Sequence, residues 1–415
     1  MMNALERRST FALSSIFALR MLGLFMIIPV FSVAGQTYEY ATPALLGLAV
    51  GIYGLTQAIL QIPFSLIADR YSRKPLVVFG LLLFALGGAI AAMSDTIYGV
   101  IIGRAIAGGG AVSAVVMALL ADVTREENRM KAMATMGMSI GVSFAVAFSL
   151  GPWLTGLVGI SGLFWVTTIM GLAAISMLFL VPKVTHHHRN YQQGYLAQLK
   201  QVLKMGDLNR LHVSVFSLHL LLTAMFIYVP SQLIDFAKIP LNSHGWVYLP
   251  LLVISLFFAF PSIVLAEKYR KMRGIFLTAI GGIILGLGIL IFGFESKYIL
   301  LTGLGLFFIA FNVMEALLPS WLSKAAPIQS KATALGVNAS SQFLGAFFGG
   351  VTGGQLLLLN NTALGWSILT GLAIIWLLIS FGLAQPRYLS SMVLRLPCLL
   401  YTSPSPRDRG RSRMP

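Results

Sequence analysis

Four ionisable side chains stand out inside the long apolar runs of this sequence: Arg20, Arg104, His219 and Glu315. A charged residue at the centre of a bilayer costs at least ~2.5–3.5 kcal/mol, and residues kept at that cost face a partner or a water-filled cavity. Glu315 is the only carboxylate deep in these runs, with Asn312 three residues earlier on the same helical face. Low dielectric disfavours a charged carboxylate, so a lone acid at that depth is suited to taking up and releasing a proton. The plainer alternative is a structural, hydrogen-bonded glutamic acid. His219 is a second proton candidate or a packed histidine. Arg20 and Arg104 have no acid in their own segments, so each needs a carbonyl, a water or a substrate as partner.

Two polar stripes accompany them. Tyr53, Gln57 and Gln61 recur every four residues, as do Asn338 and Gln342. Such stripes either line a cavity or hold helices together by hydrogen bonds. A second cluster, Asp69-Arg70 with Arg73-Lys74, sits in a short connection where Asp69 and Arg73 share a helical face. Charge-guided topology explains Arg70 and Lys74 but not an acid among them. The Gly108-Gly109-Gly110 run lacks the Lys-Ser/Thr ending of a phosphate loop and reads as close helix packing. No nucleophile set, acid pair or metal-ligand spacing appears, so an enzyme is not expected, nor any metal or cofactor besides protons as coupling ion. The single cysteine, Cys398, excludes a disulfide framework, and His186-His187-His188 reads as a solvated loop.

What positions these groups follows from composition. Of 415 residues, 57% are hydrophobic and 10% charged, with 41 glycines and a mean hydropathy of +0.84. A soluble domain carries about 25% charged residues, so the solvent here is mostly lipid. Spans of the length needed to cross ~30 Å of hydrocarbon are expected near 13–34, 44–66, 76–94, 97–119, 132–155 and 161–182. Six more lie near 209–230, 246–266, 274–294, 298–320, 332–356 and 363–384. The net charge of +16 would suggest nucleic acid in a soluble protein, but here the cations mark topology. Outside the tail, one side holds 20 Lys and Arg and the other two, so both termini are expected in the cytoplasm.

The halves repeat. Asp69-Arg70-Tyr71 is matched by Glu267-Lys268-Tyr269 198 residues later, and Lys131-Ala132 by Lys331-Ala332 200 residues later. Equivalent loops on one side imply a parallel repeat about the membrane normal. The fold class expected is an all-α membrane protein of 12 transmembrane helices in two pseudo-symmetric six-helix bundles. The bundles are placed at 1–182 and 209–386, joined by a cytoplasmic linker at 183–208. The tail 387–415 breaks the pattern. From about 392 it resembles translated adapter sequence and is expected to be non-native.

The loop Ser65…Asp69-Arg70…Arg73-Lys74 resembles motif A of the major facilitator superfamily, with serines at both motif glycines (Ser65, Ser72). Arg104…Gly108-x-Gly110 resembles its motif B, with Ala107 at the usual glutamine. Gly151-Pro152…Gly156 resembles motif C, which marks the drug–proton antiporter branch. The resemblance covers about 1–391 and implies the 12-span fold of that superfamily. It also implies that Arg73 pairs with Asp122 and that Asp69 approaches the start of the eleventh span, latching the inside closed. Arg104 would take part in proton movement, with Arg20, Tyr53, Gln57, Gln61, Asn312, Asn338 and Gln342 as gating, cavity or substrate residues. Gly151, Pro152 and Gly156 would bend the fifth span. The function implied is proton-coupled antiport of a small, drug-like solute by a monomer in the bacterial inner membrane. A proton symporter or facilitative nutrient carrier would use the same architecture, and a non-transporting receptor would keep the cavity without flux.

Overall fold

The computed structural model describes residues 2–182, 195–327, 330–359 and 361–385. The His186–His188 run and the tail from 386 lie outside the described residues. Thirteen α-helices form among the described residues, and no strand beyond one isolated bridge, Glu39 to Thr96.

The first helix, α1 (Ala4–Ala34), opens on a capping box in which the Asn3 side chain and the Glu6 carboxylate each accept from the other's amide. α2 (Pro43–Arg70) has Thr42 as N-cap and proline at its first position. After α3 (Arg73–Met93), the fourth span is not the continuous helix expected over 97–119. It divides into α4 (Ile97–Gly108) and α5 (Ser113–Asp122). The intervening glycines let backbone meet backbone: a Cβ at Gly108 would overlap the Tyr53 carbonyl, and one at Gly110 the Gly80 carbonyl. This stretch is therefore a packing break within the span.

The next helix, α6 (Glu126–Met177), contains a reversal at Gly159, whose φ of 70° and ψ of −179° suit glycine alone. Before it, α6 runs parallel to α1, with Ser139 bonded to the Ser14 carbonyl and Gly151 against Met26. After it the chain runs antiparallel to α1: Thr167 meets Gly23 and Phe164 meets Phe31. The expected fifth and sixth spans are these two halves. Pro152 lies in the helical stretch before that reversal, where Gly151 sits against the Met26 carbonyl of α1.

A short amphipathic helix, α7 (Tyr195–Lys204), forms in the stretch read as linker, and α8 (Gly206–Asp235) begins inside that stretch. There follow α9 (Gly245–Lys268), α10 (Met272–Gly293), α11 (Lys297–Ala325), α12 (Lys331–Leu356) and α13 (Thr362–Ser380). Ten apolar segments among the described residues are long enough to cross a bilayer, one of them holding the Gly159 reversal. The 26-residue α12 is not among the ten; its middle carries Asn338, Ser340, Ser341 and Gln342.

Side-chain contacts carry the twofold repeat. Lys74, in the first turn of α3, donates to the Val181 carbonyl just past α6. Arg273, 199 residues later in the first turn of α10, donates to the Phe381 carbonyl just past α13, at 2.8 Å. Both cations sit where a helix C-terminus leaves unpaired carbonyls and negative dipole. Gly87 lies against the Gly103 carbonyl and Gly286 against that of Gly303, again 199 and 200 residues apart.

The bundles meet at the end opposite the Lys/Arg-rich connections. There α2 and α12 pack backbone to backbone: a Cβ at Gly47 would overlap Gly350, and one at Gly51 would overlap the Phe347 carbonyl. Gly245 of α9 lies on the Ser149 carbonyl of α6, and the Phe148 and Phe226 rings meet at a 52° tilt with centroids 4.0 Å apart. Toward the basic end the bundles separate. A Cβ at Gly137, Gly141 or Gly336 would meet nothing within 4 Å, and Met130, Met138 and Val142 are exposed.

Candidate functional site

The separated halves leave a cleft that opens at the basic end and closes on an aromatic floor. Phe144 of α6 faces Phe311 of α11 across it at 6.2 Å, with Phe25 and Phe148 beside Phe144. One turn beyond Phe311 stands Glu315, whose side chain is 44% exposed despite its mid-helix position. Its carboxylate Oε2 is 3.7 Å from Nε2 of His219 on α8. The other ring nitrogen, Nδ1, is 3.0 Å from the Val215 carbonyl, so it carries a hydrogen. Nε2 also lies 2.7 Å from the side-chain nitrogen of Gln342 on α12. Three helices thus converge on one imidazole nitrogen with an amide on one side and a carboxylate on the other. Asn312, on the face of Glu315, donates to Ser255 of α9 at 2.6 Å and so braces α11.

His212 was not singled out from sequence. It lies seven residues before His219 on the same face of α8, is buried, and is opposed by Asn338 of α12. The i, i+7 spacing against an amide pair at i, i+4 was the signal available.

The two buried arginines serve the N-terminal bundle. Arg20 is 2% exposed and donates to Ser113 Oγ at 2.7 Å, Tyr53 Oη at 2.7 Å and Gln57 Oε1 at 2.5 Å. It ties α1, α2 and α5 together with neutral acceptors. Arg104 donates to the carbonyls of Ala49 and, at 3.2 Å, Val50, while its guanidinium lies 5.7 Å from the Tyr53 ring centre. Tyr53, Gln57 and Gln61 are buried in that bundle, so in this conformation the stripe joins helices and does not line the cleft. Asn338 and Gln342 instead face the α8 histidines.

At the basic end Arg73 pairs with Asp122 and also donates to the Ala118 carbonyl at 3.0 Å, as the motif A resemblance implies for the pair. Its neighbour Lys74 caps α6 instead of standing free in the loop. The side chains of Asp69 and Arg70 lie outside the described residues, so the expected approach of Asp69 to the eleventh span does too. A Cβ on α12 at Gly336 would meet open space. In the other half Glu267 accepts from Ser320 and pairs with Lys324, joining α9 to α11. Sequence reading also missed Glu6, a buried acid bonded to the Arg125 amide at 2.8 Å, the Arg125 guanidinium and Asn128. It fastens the start of α1 to the start of α6.

Two bundles related by a parallel repeat, with polar groups converging at mid-depth in a cleft open at one end, define a membrane carrier. The chain belongs to the Major Facilitator Superfamily, whose profile matches residues 13–350. It is 44% identical over 397 residues to the inner membrane transport protein YajR of Escherichia coli (strain K12), covering 94% of this chain and 87% of that one. It is 25% identical to multidrug resistance protein 2 of Bacillus subtilis (strain 168), over 84% of this chain and 88% of that one. In fold it resembles the D-xylose–proton symporter, with a TM-score of 0.76 at 16% identity, covering 91% and 97% of the two chains. The chain is therefore a multi-pass inner-membrane transporter and not an enzyme.

Proposed function

We propose that this chain is a twelve-span, proton-coupled antiporter that exports a small solute by alternating access, with both termini in the cytoplasm. The observation that carries this reading is the Glu315–His219 pair, at mid-depth and open to the cleft, with Gln342 opposite. In this reading the basic end faces the cytoplasm and the structure is its inward-open state. A proton entering from the cleft adds to a carboxylate oxygen of Glu315 or to Nε2 of His219. Neutralising the acid removes the cost of carrying a charge through a closed, low-dielectric state. Each proton moving down 100 mV releases about 2.3 kcal/mol, enough for a solute gradient of roughly 40- to 50-fold. The likeness to a multidrug resistance protein supports export, and the arginines held by neutral groups support a structural N-terminal bundle that moves as a unit.

The test is flux in inside-out proteoliposomes with a pH-sensitive dye in the lumen. Addition of a transported solute outside should drive protons out of the lumen, and Glu315→Gln should abolish that signal. Protons following the solute inward would assign symport instead.

A further inference from the structure

At the end opposite the basic connections, residues on either side of one histidine press the two bundles together. A Cβ at Gly156 of α6 would lie 3.0 Å from that of Asn242, and Gly245, the first residue of α9, lies on the Ser149 carbonyl of the same α6. Between these contacts His244 is fully buried. Its Nε2 is 3.0 Å from the Ile239 carbonyl, which can only accept, so Nε2 carries the ring hydrogen. Nδ1 is then the bare nitrogen, buried and with no hydrogen-bond partner among the described residues.

The elements packed there offer nothing to balance a charge on the ring. Tyr248, one turn along α9, faces the imidazole with ring centres 6.1 Å apart. α6 carries no titratable side chain after Lys131, and α1 none after Arg20. Asp235 and Lys238 near the end of α8, and Glu295 and Lys297 before α11, are exposed. A proton added at Nδ1 would therefore make a buried cation with an unpaired donor, at the positive end of the α9 dipole. The closed contact accepts this ring in its neutral form alone.

We propose that His244 is a second proton-binding site of this carrier, apart from the Glu315–His219 pair, and that protonation of Nδ1 and closure of this end exclude one another. When the bundles part here the ring meets solvent, takes up a proton as an ordinary histidine does, and holds the end open until the proton leaves. For a ring of ordinary affinity, near pH 6.5, the open-to-closed ratio rises about tenfold between about pH 7.5 and 5.5. That this end faces the periplasm rests on the topology proposed above; the exclusion itself rests on packing and holds whichever way solute and protons move.

The test is a spin-label distance measurement on the full chain with Cys398 replaced and labels at Thr37 and Tyr298, exposed at this end of the two bundles. Glu315→Gln with His219→Gln in the same chain keeps the mid-depth pair from responding, so the outcome is separate from that of the coupling reading. Lowering the pH from about 7.5 to 5.5 should raise the long-distance population about tenfold relative to the short one. His244→Gln, whose amide keeps a donor for the Ile239 carbonyl, should remove that response. No response with His244 present, or an undiminished one in His244→Gln, would overturn the proposal. Deuterium exchange at the imidazole C2 position, read by mass spectrometry, covers the case in which His244→Gln fails to fold. In the unsubstituted chain His244 should exchange without titrating over this pH range. In Gly51→Leu, whose side chain presses on the Phe347 carbonyl at this end, it should titrate as a free histidine does. Identical profiles in the two chains would overturn the proposal as well.

Discussion

Nε2 of His219 stands 3.7 Å from Oε2 of Glu315, while Nδ1 of the same ring is tied to the Val215 carbonyl. The fixed Nδ1 hydrogen leaves Nε2 as the only ring position free to gain or lose a proton. That position faces both the Glu315 carboxylate and the Gln342 side-chain nitrogen, which donates to it. Glu315→Gln should reduce proton-coupled flux by at least about tenfold, a barrier change of about 1.4 kcal/mol or more. Because the side chain is partly exposed, thermal stability in detergent should change little. Unaltered proton uptake in proteoliposomes would remove Glu315 from the coupling step.

Arg73 is almost fully buried, and its pairing with Asp122 and the Ala118 carbonyl joins α3 to α5. Arg73→Ala should cost about 1–3 kcal/mol, since a charge-assisted bond is lost and Asp122 keeps its charge without that partner. Arg73→Ala combined with Asp122→Ala should recover part of the loss. Thermal unfolding of the single and double variants reads this directly, and additive losses would show that the pair is not coupled.

Glycines at the two ends of the cleft should act in opposite directions. Gly51→Leu places a side chain against the Phe347 carbonyl, where the bundles now touch, and should drive them apart there. Gly141→Leu fills open space and should hinder closure at the basic end. With Cys398 replaced and spin labels at Ala134 of α6 and Val264 of α9, both exposed and near the basic ends of their helices, Gly51→Leu should shift the distance distribution shorter. Gly141→Leu should shift it longer or narrow it around the long distance.

The carboxylate of Glu6, buried at the head of α1, accepts from two groups of Arg125 and from Asn128. Glu6→Gln removes the charge that makes those bonds strong and should destabilise the chain by about 2–3 kcal/mol. Glu127→Gln, which removes an exposed partner of the same arginine, should cost under about 1 kcal/mol. Equal losses from the two substitutions in chemical denaturation would contradict the staple.

The chain's length in lipid-compatible runs, the 198–200 residue repeat and the Asp122–Arg73 pairing implied by motif A could all be read from residue order. Each rests on local periodicity, on charge counted along the chain or on a short motif. The same reasoning placed Glu315 and His219 in the apolar interior as separate proton candidates. It left Tyr53, Gln57 and Gln61 divided between cavity and glue, because a helical stripe has the same spacing whichever neighbour it faces. It missed the α4–α5 break, where Gly108 and Gly110 bring backbones together.

By itself the sequence determined the solvent, the two-bundle repeat and the identity of the costly charges, since burying a charge in lipid is penalised wherever it falls. Only the tertiary structure decided which of those charges meet. Arg20 found Tyr53, Gln57 and Ser113 on other helices, and Glu315 found a histidine 96 residues earlier in the chain. The reason is geometric: hydrophobic periodicity sets which face of a helix turns inward, but the rotation and depth at which two helices lock are set by close packing of side chains far apart in sequence.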